Sequence, residues 1–116
     1  MYTTTKVLLA TTLLCTLSYA EDTTKLFDKN CAMCHDEGGI IAPPLNVIAI
    51  AVKAKYPSKE EFVAFSVNYM LDPKEEKSVF GKAAIESYGL MISQKDVMPV
   101  ETLKKLTEYL YDNYGK

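Results

Sequence analysis

The sequence contains no arginine and only one histidine in 116 residues. Its 13 lysines are outnumbered by 15 aspartates and glutamates, giving a formal charge of −2. A chain without arginine and without a net basic surface is poorly equipped to bind phosphate backbones, so no nucleic-acid partner is expected. Cysteine is scarce as well, with Cys15, Cys31 and Cys34 only. One histidine and so few cysteines do not make up the usual four ligands of a structural zinc site. No apolar run approaches the roughly 20 residues that span a bilayer, so a retained membrane anchor is not expected. Strand-like alternation of useful length is missing too. That excludes the βαβ setting of a thioredoxin-like cysteine pair and predicts an all-α fold.

What is present begins with a short export signature. Lys6 precedes the apolar run Val7 to Leu17, and Ser18 and Ala20 put small residues at the −3 and −1 positions of a cleavage site. Residues 1–20 therefore read as a signal peptide cleaved after Ala20, and residues 21–116 as one exported, periplasmic domain. Leu14 stands before Cys15 where a lipoprotein signal needs a small residue. Cleavage removes Lys6 and no acidic residue, which moves the formal charge from −2 to −3. So small a domain buries a limited core and benefits from a covalent staple.

The strongest local signal is Cys31-Ala32-Met33-Cys34-His35. The spacing Cys-x-x-Cys-His marks covalent attachment of a c-type haem. Within one helical turn two thiols reach two vinyl-derived carbons of the ring, and His35 then lies under the iron as proximal ligand.

Helical periodicity fills the rest of the chain. Glu21 to Thr24 carries start signals for a first helix over about Thr23 to Met33, which Gly38-Gly39 breaks. Pro43-Pro44 keeps the following stretch irregular. A second helix runs from Asn46 to Lys55 with Val47, Ile50 and Ala51 or Ala54 on its apolar face, and Pro57 stops it. Ser58 and Glu61 form a capping box for a third helix bearing Phe62, Phe65 and Tyr69, with Val63 and Met70 alongside, ended by Asp72-Pro73. Glu75-Glu76-Lys77 reads as solvated surface. Ala83 to Tyr88 forms a short helix closed by Gly89. Pro99 opens a last helix with Leu103, Leu106, Leu110 and Tyr114 as its stripe.

A single histidine excludes two imidazoles on one iron, which leaves a methionine thioether as the strong candidate for the distal position. Met33 lies within the attachment loop on the His35 side, and Met70 sits on a core-forming helix as a gap-filler. Met91 lies in a loop from which a side chain can enter a crevice. Met98, directly before Pro99, suits a hydrophobic staple onto its own helix. Met91 is the favoured ligand and Met98 the alternative.

Taken together, these residues resemble a class I cytochrome c over nearly the whole of residues 21–116. Phe27, four residues before Cys31, resembles the aromatic that packs the first helix of that family on the last, with Leu106 and Tyr109 as its partners. Ala42-Pro43-Pro44-Leu45 resembles the segment whose proline carbonyl accepts the Nδ1–H of the proximal histidine. The resemblance thus implies that Pro43 orients His35 and that Leu45 packs on the ring. Tyr88-Gly89-Leu90-Met91-Ile92-Ser93-Gln94-Lys95 is similar to the run around the distal methionine of small bacterial monohaem cytochromes. Ile92 stands where proline usually follows that methionine, and Thr23 where a glycine often permits close helix crossing.

The resemblance implies four or five helices wrapped around one covalently bound haem c. It implies a monomeric periplasmic carrier that passes single electrons between transient redox partners, and not an enzyme. Other functions stay open. A labile distal position would give peroxidase-like or gas-binding behaviour, and permanent docking would make the chain a relay subunit of a larger oxidoreductase. Tyr56 or Tyr69 could reach a haem propionate, although an aromatic core role is the simpler expectation for both.

Overall fold

The computed structural model describes residues 23–116. The expected signal segment, residues 1–20, lies outside the described residues. Those described are all-α, with no strand among them, as the lack of alternation predicts. None of their helices is long and apolar enough to cross a membrane.

The first helix, α1, begins over residues 23–27 and then widens into a π turn, Asp28–Ala32. Periodicity predicted a regular helix here, and one side-chain bond accompanies the departure. The Asn30 side chain donates to the Leu26 carbonyl at 2.9 Å, an acceptor that a regular α-turn gives to the Asn30 backbone N–H. Ordinary helical bonding resumes where His35 N–H donates to Cys31 O at 3.1 Å.

Helix α2 (Leu45–Lys55) starts from Pro44 and buries Leu45, Ala49 and Val52. The expected face was wrong, because Val47 and Ile50 are exposed. This helix is apolar almost all round, so its period cannot choose the side that packs. Helix α3 (Lys59–Leu71) begins as the capping box requires, with the Ser58 hydroxyl accepting Glu61 N–H at 3.1 Å. It buries Phe62 and Val67. Past its end, Asp72 pairs with Lys77 at 3.2 Å and Lys74 at 3.3 Å. Those contacts, Lys77 first, hold its carboxyl below the usual range. The expected charge run forms a 3₁₀ turn, Glu75–Lys77.

Helix α4 (Lys82–Tyr88) closes on Gly89, whose φ of 78° is a value that side-chain-bearing residues rarely adopt. Helix α5 (Val100–Asn113) starts one residue later than predicted. Pro99 is its N-cap, with extended backbone (ψ 152°), and not its first turn. Its missing N–H costs nothing at either position, so sequence alone does not separate them.

Helices α3 and α5 form the most extensive pair, and α2 packs on both. Phe27, Leu45, Ala49, Val52, Phe62, Leu106 and Leu110 form one continuous core. Phe27, 1% exposed, lies 4.7 Å from the ring of Tyr109 and 5.5 Å from that of Tyr114. Burying it contributes about 1.5–3 kcal/mol, apart from the ring–ring contacts. The expected α1–α5 contact is thus present.

Helix α5 is closed at its end by another helix. Lys53 of α2 donates from Nζ to Tyr111 O at 2.8 Å and to Tyr114 O at 2.7 Å. A cation there also opposes the negative end of the helix dipole. Lys53→Met keeps the stem but removes two charge-assisted bonds. It is expected to lower stability by about 1.5–3 kcal/mol, read from the denaturant midpoint at unchanged slope.

Candidate functional site

Cys31, Cys34, His35, Pro43, Leu45, Met91 and Met98 all line one cavity of ≈ 400 Å³. Local structure explains how each arrives there. The π segment carries Cys31, and the turn that follows it carries Cys34 and His35, to the cavity. Asp36 then turns the chain, its Oδ1 accepting Gly38 N–H at 3.1 Å and Gly39 N–H at 3.2 Å. Gly39 has φ 62°, and a Cβ there would meet Pro44 Cδ at 3.2 Å. Glycine is thus required both by conformation and by space. The turn returns the chain so that the Pro43 carbonyl lies 2.9 Å from His35 Nδ1.

A carbonyl oxygen can only accept, so Nδ1 carries the proton in this bond. In the neutral imidazole that arrangement puts the lone pair on Nε2, the nitrogen a metal would use. The bond fixes the tautomer and the ring orientation together, which is what a ligating imidazole requires.

Another part of the cavity wall comes from the segment between α4 and α5. Met91 and Met98 are both half-buried there and both line the cavity. Met98 also packs against the core cluster, so its expected staple role and a place on the wall coexist. Met70, expected only to fill the core, likewise reaches the cavity, whereas Met33 is 70% exposed and does not. Ile92, the residue that departs from the family pattern, is 79% exposed.

The remaining wall is mostly apolar: Ile48 and Val52 from α2, Phe65 from α3, Leu103 and Leu106 from α5. Thr107, buried on α5, spends its hydroxyl on the carbonyls of Leu103 and Lys104. Among the described residues no buried side-chain nitrogen or oxygen lacks a hydrogen-bond partner. Tyr69 lines the cavity with Ser78; burial pushes its phenol up, opposed by a hydrogen bond with Ser78. Tyr56 instead stacks on Phe65 at 4.6 Å and stays outside the cavity wall.

Burial also pushes the Cys31 thiol up to about 11. An uncharged thioether at this position fits the apolar wall better than a thiolate would. Among the described residues no group of three or more His, Cys, Asp or Glu side chains is placed so that it could hold a metal ion by itself. Nitrogen from one imidazole, one or two thioethers, two thiols and a large apolar enclosure form the donor set of a covalently held haem. The residues fit that group.

Sequence reading missed three tethers around this cavity. Tyr88 OH donates to Gly39 O at 3.1 Å and joins the histidine side to the methionine side. Ser93 Oγ donates to Leu71 O at 2.7 Å, and Gln94 N–H to Met70 O at 2.8 Å. All are long-range, so no local spacing could have revealed them.

No family model matches the chain. A protein of Aquifex aeolicus (strain VF5), described as an uncharacterized protein, is 28% identical over 109 residues, covering 78% of this chain and 72% of its own length. No solved structure matches.

Proposed function

We propose that this protein is a small exported electron carrier that holds one haem c through Cys31 and Cys34, with His35 as proximal and Met91 as distal iron ligand. The observation that carries the reading is the His35 Nδ1–Pro43 O bond of 2.9 Å. With Nδ1 held there, Nε2 would be the ligating nitrogen, on a cavity that Cys31, Cys34 and Met91 also line. The bound haem supplies a one-electron valence change, and the chain supplies everything that tunes and shelters it.

Each residue has a definite task. Cys31 and Cys34 fix the ring as thioethers. Pro43 O orients His35 and strengthens it as a donor. Leu45 and the apolar residues of α2, α3 and α5 exclude water from the ring faces. Met91 would supply the second protein ligand to the iron, which would leave no place for a substrate on the metal and make the protein a carrier and not a catalyst. Its partners are redox proteins that dock transiently, in the periplasm if residues 1–20 direct export.

The test uses the full chain expressed in a host with c-type maturation machinery. The purified protein is expected to retain haem through denaturation, with an intact mass higher by one haem. Its reduced spectrum is expected to be unchanged on brief exposure to carbon monoxide at neutral pH. Haem lost on denaturation sinks the attachment assignment. Rapid adduct formation sinks the carrier reading in favour of an open distal site.

A further inference from the structure

The segment between α4 and α5 holds Met91 without the restraint a following proline would give, since Ile92 leaves its backbone free. The last carbonyls of a helix have no partner within it, so the end of α3 offers acceptors. The segment uses them two residues after Met91. The Ser93 hydroxyl donates to Leu71 O at 2.7 Å and accepts Lys95 N–H at 3.3 Å. Beside it Gln94 N–H donates to Met70 O at 2.8 Å, while the Gln94 side chain donates to Ile92 O at 2.9 Å. Of these, the Ser93 bond is the one between a side chain and another element that stands nearest to Met91.

The geometry points to Ser93 as the positioning residue for Met91: its hydroxyl fastens the methionine segment to the end of α3 and thereby keeps the thioether on the iron. This rests on the reading of Met91 as distal ligand. Two residues of extended chain span at most about 7 Å, so an anchor at 93 bounds how far Met91 can withdraw. Without it, a small ligand competes for iron against a looser thioether.

The test is the affinity of the oxidised holoprotein for added imidazole, which displaces a thioether ligand. Ser93→Ala is expected to bind imidazole about three- to tenfold more tightly, the range set by loss of one hydrogen bond. Ser93→Thr, which restores a hydroxyl, is expected to return to the wild-type value. Ser58→Ala serves as the stability control, because it loses a helix cap far from the segment; its imidazole affinity is expected to stay at wild type. If Ser93→Ala binds imidazole no better than Ser58→Ala, or threonine does not restore the wild-type value, the positioning role is overturned while the ligand assignment stands. A wild-type protein without the red charge-transfer band of a thioether-ligated haem, or one whose band follows Met98, overturns both.

Discussion

Met91→Ala is expected to abolish the red charge-transfer band of the oxidised protein and to open the reduced iron to carbon monoxide, while Met98→Ala keeps the band. Both thioethers line the cavity, so proximity alone does not separate them. Their surroundings do. Met98 is packed against the core cluster, and its N–H donates to Gln94 O at 3.3 Å at the entry to α5. Its side chain is already committed to packing. Met91 lies outside any helix and outside that cluster. The two substitutions are therefore expected to divide their effects. Met98→Ala lowers stability by about 1–2 kcal/mol, less than the roughly 2–5 kcal/mol for a fully buried methionine because Met98 is half-buried. Met91→Ala instead lowers the reduction potential by a fraction of the roughly 0.8 V that axial ligands span. Band loss in Met98→Ala with retention in Met91→Ala reverses the assignment.

If the chain carries haem as proposed, replacing both Cys31 and Cys34 by serine is expected to cost it its fixed tertiary structure along with the haem. The cavity measures ≈ 400 Å³. At about 24 cal/mol per Å³, an unfilled space of that size costs on the order of 10 kcal/mol, comparable to the whole stability of a small domain. The walls close in before that cost is met in full, and in doing so they give up the packing of α2, α3 and α5 around it. The double variant is expected to keep much of its far-ultraviolet circular dichroism, lose its near-ultraviolet signal and melt without a sharp transition. A sharp cooperative melt with near-ultraviolet structure intact would show that the helices pack without the haem.

How far the sequence foretold this structure depended on the range of the interaction. The stripe Leu103, Leu106 and Leu110 is legible because α5 is polar elsewhere, and all three are buried. Helix α2 offers no such contrast, and its buried side was misjudged. Helix ends at Ser58, Asp72 and Gly89 follow from caps and breakers that act locally. The π turn at Asp28–Ala32 is equally local, yet periodicity, which reports only where apolar residues recur, does not register it. Within the site, Cys31, Cys34 and His35 are neighbours in sequence, and all three line the same cavity. The tethers of Ser93 to Leu71 and Tyr88 to Gly39 join distant segments and become visible only in three dimensions.

The bond that orients His35 has a main-chain oxygen as its acceptor. Every residue type supplies that oxygen, so no change of side-chain chemistry at position 43 can delete it. Substitution can only move it, by altering the route of the chain between Asp36 and Leu45. The donor strength of the imidazole is therefore guarded by Gly39, Pro43 and Pro44, none of which has a side chain able to take part in the bond. A variant that shifts the potential through this contact should map to the path of the loop, with the acceptor atom itself unchanged.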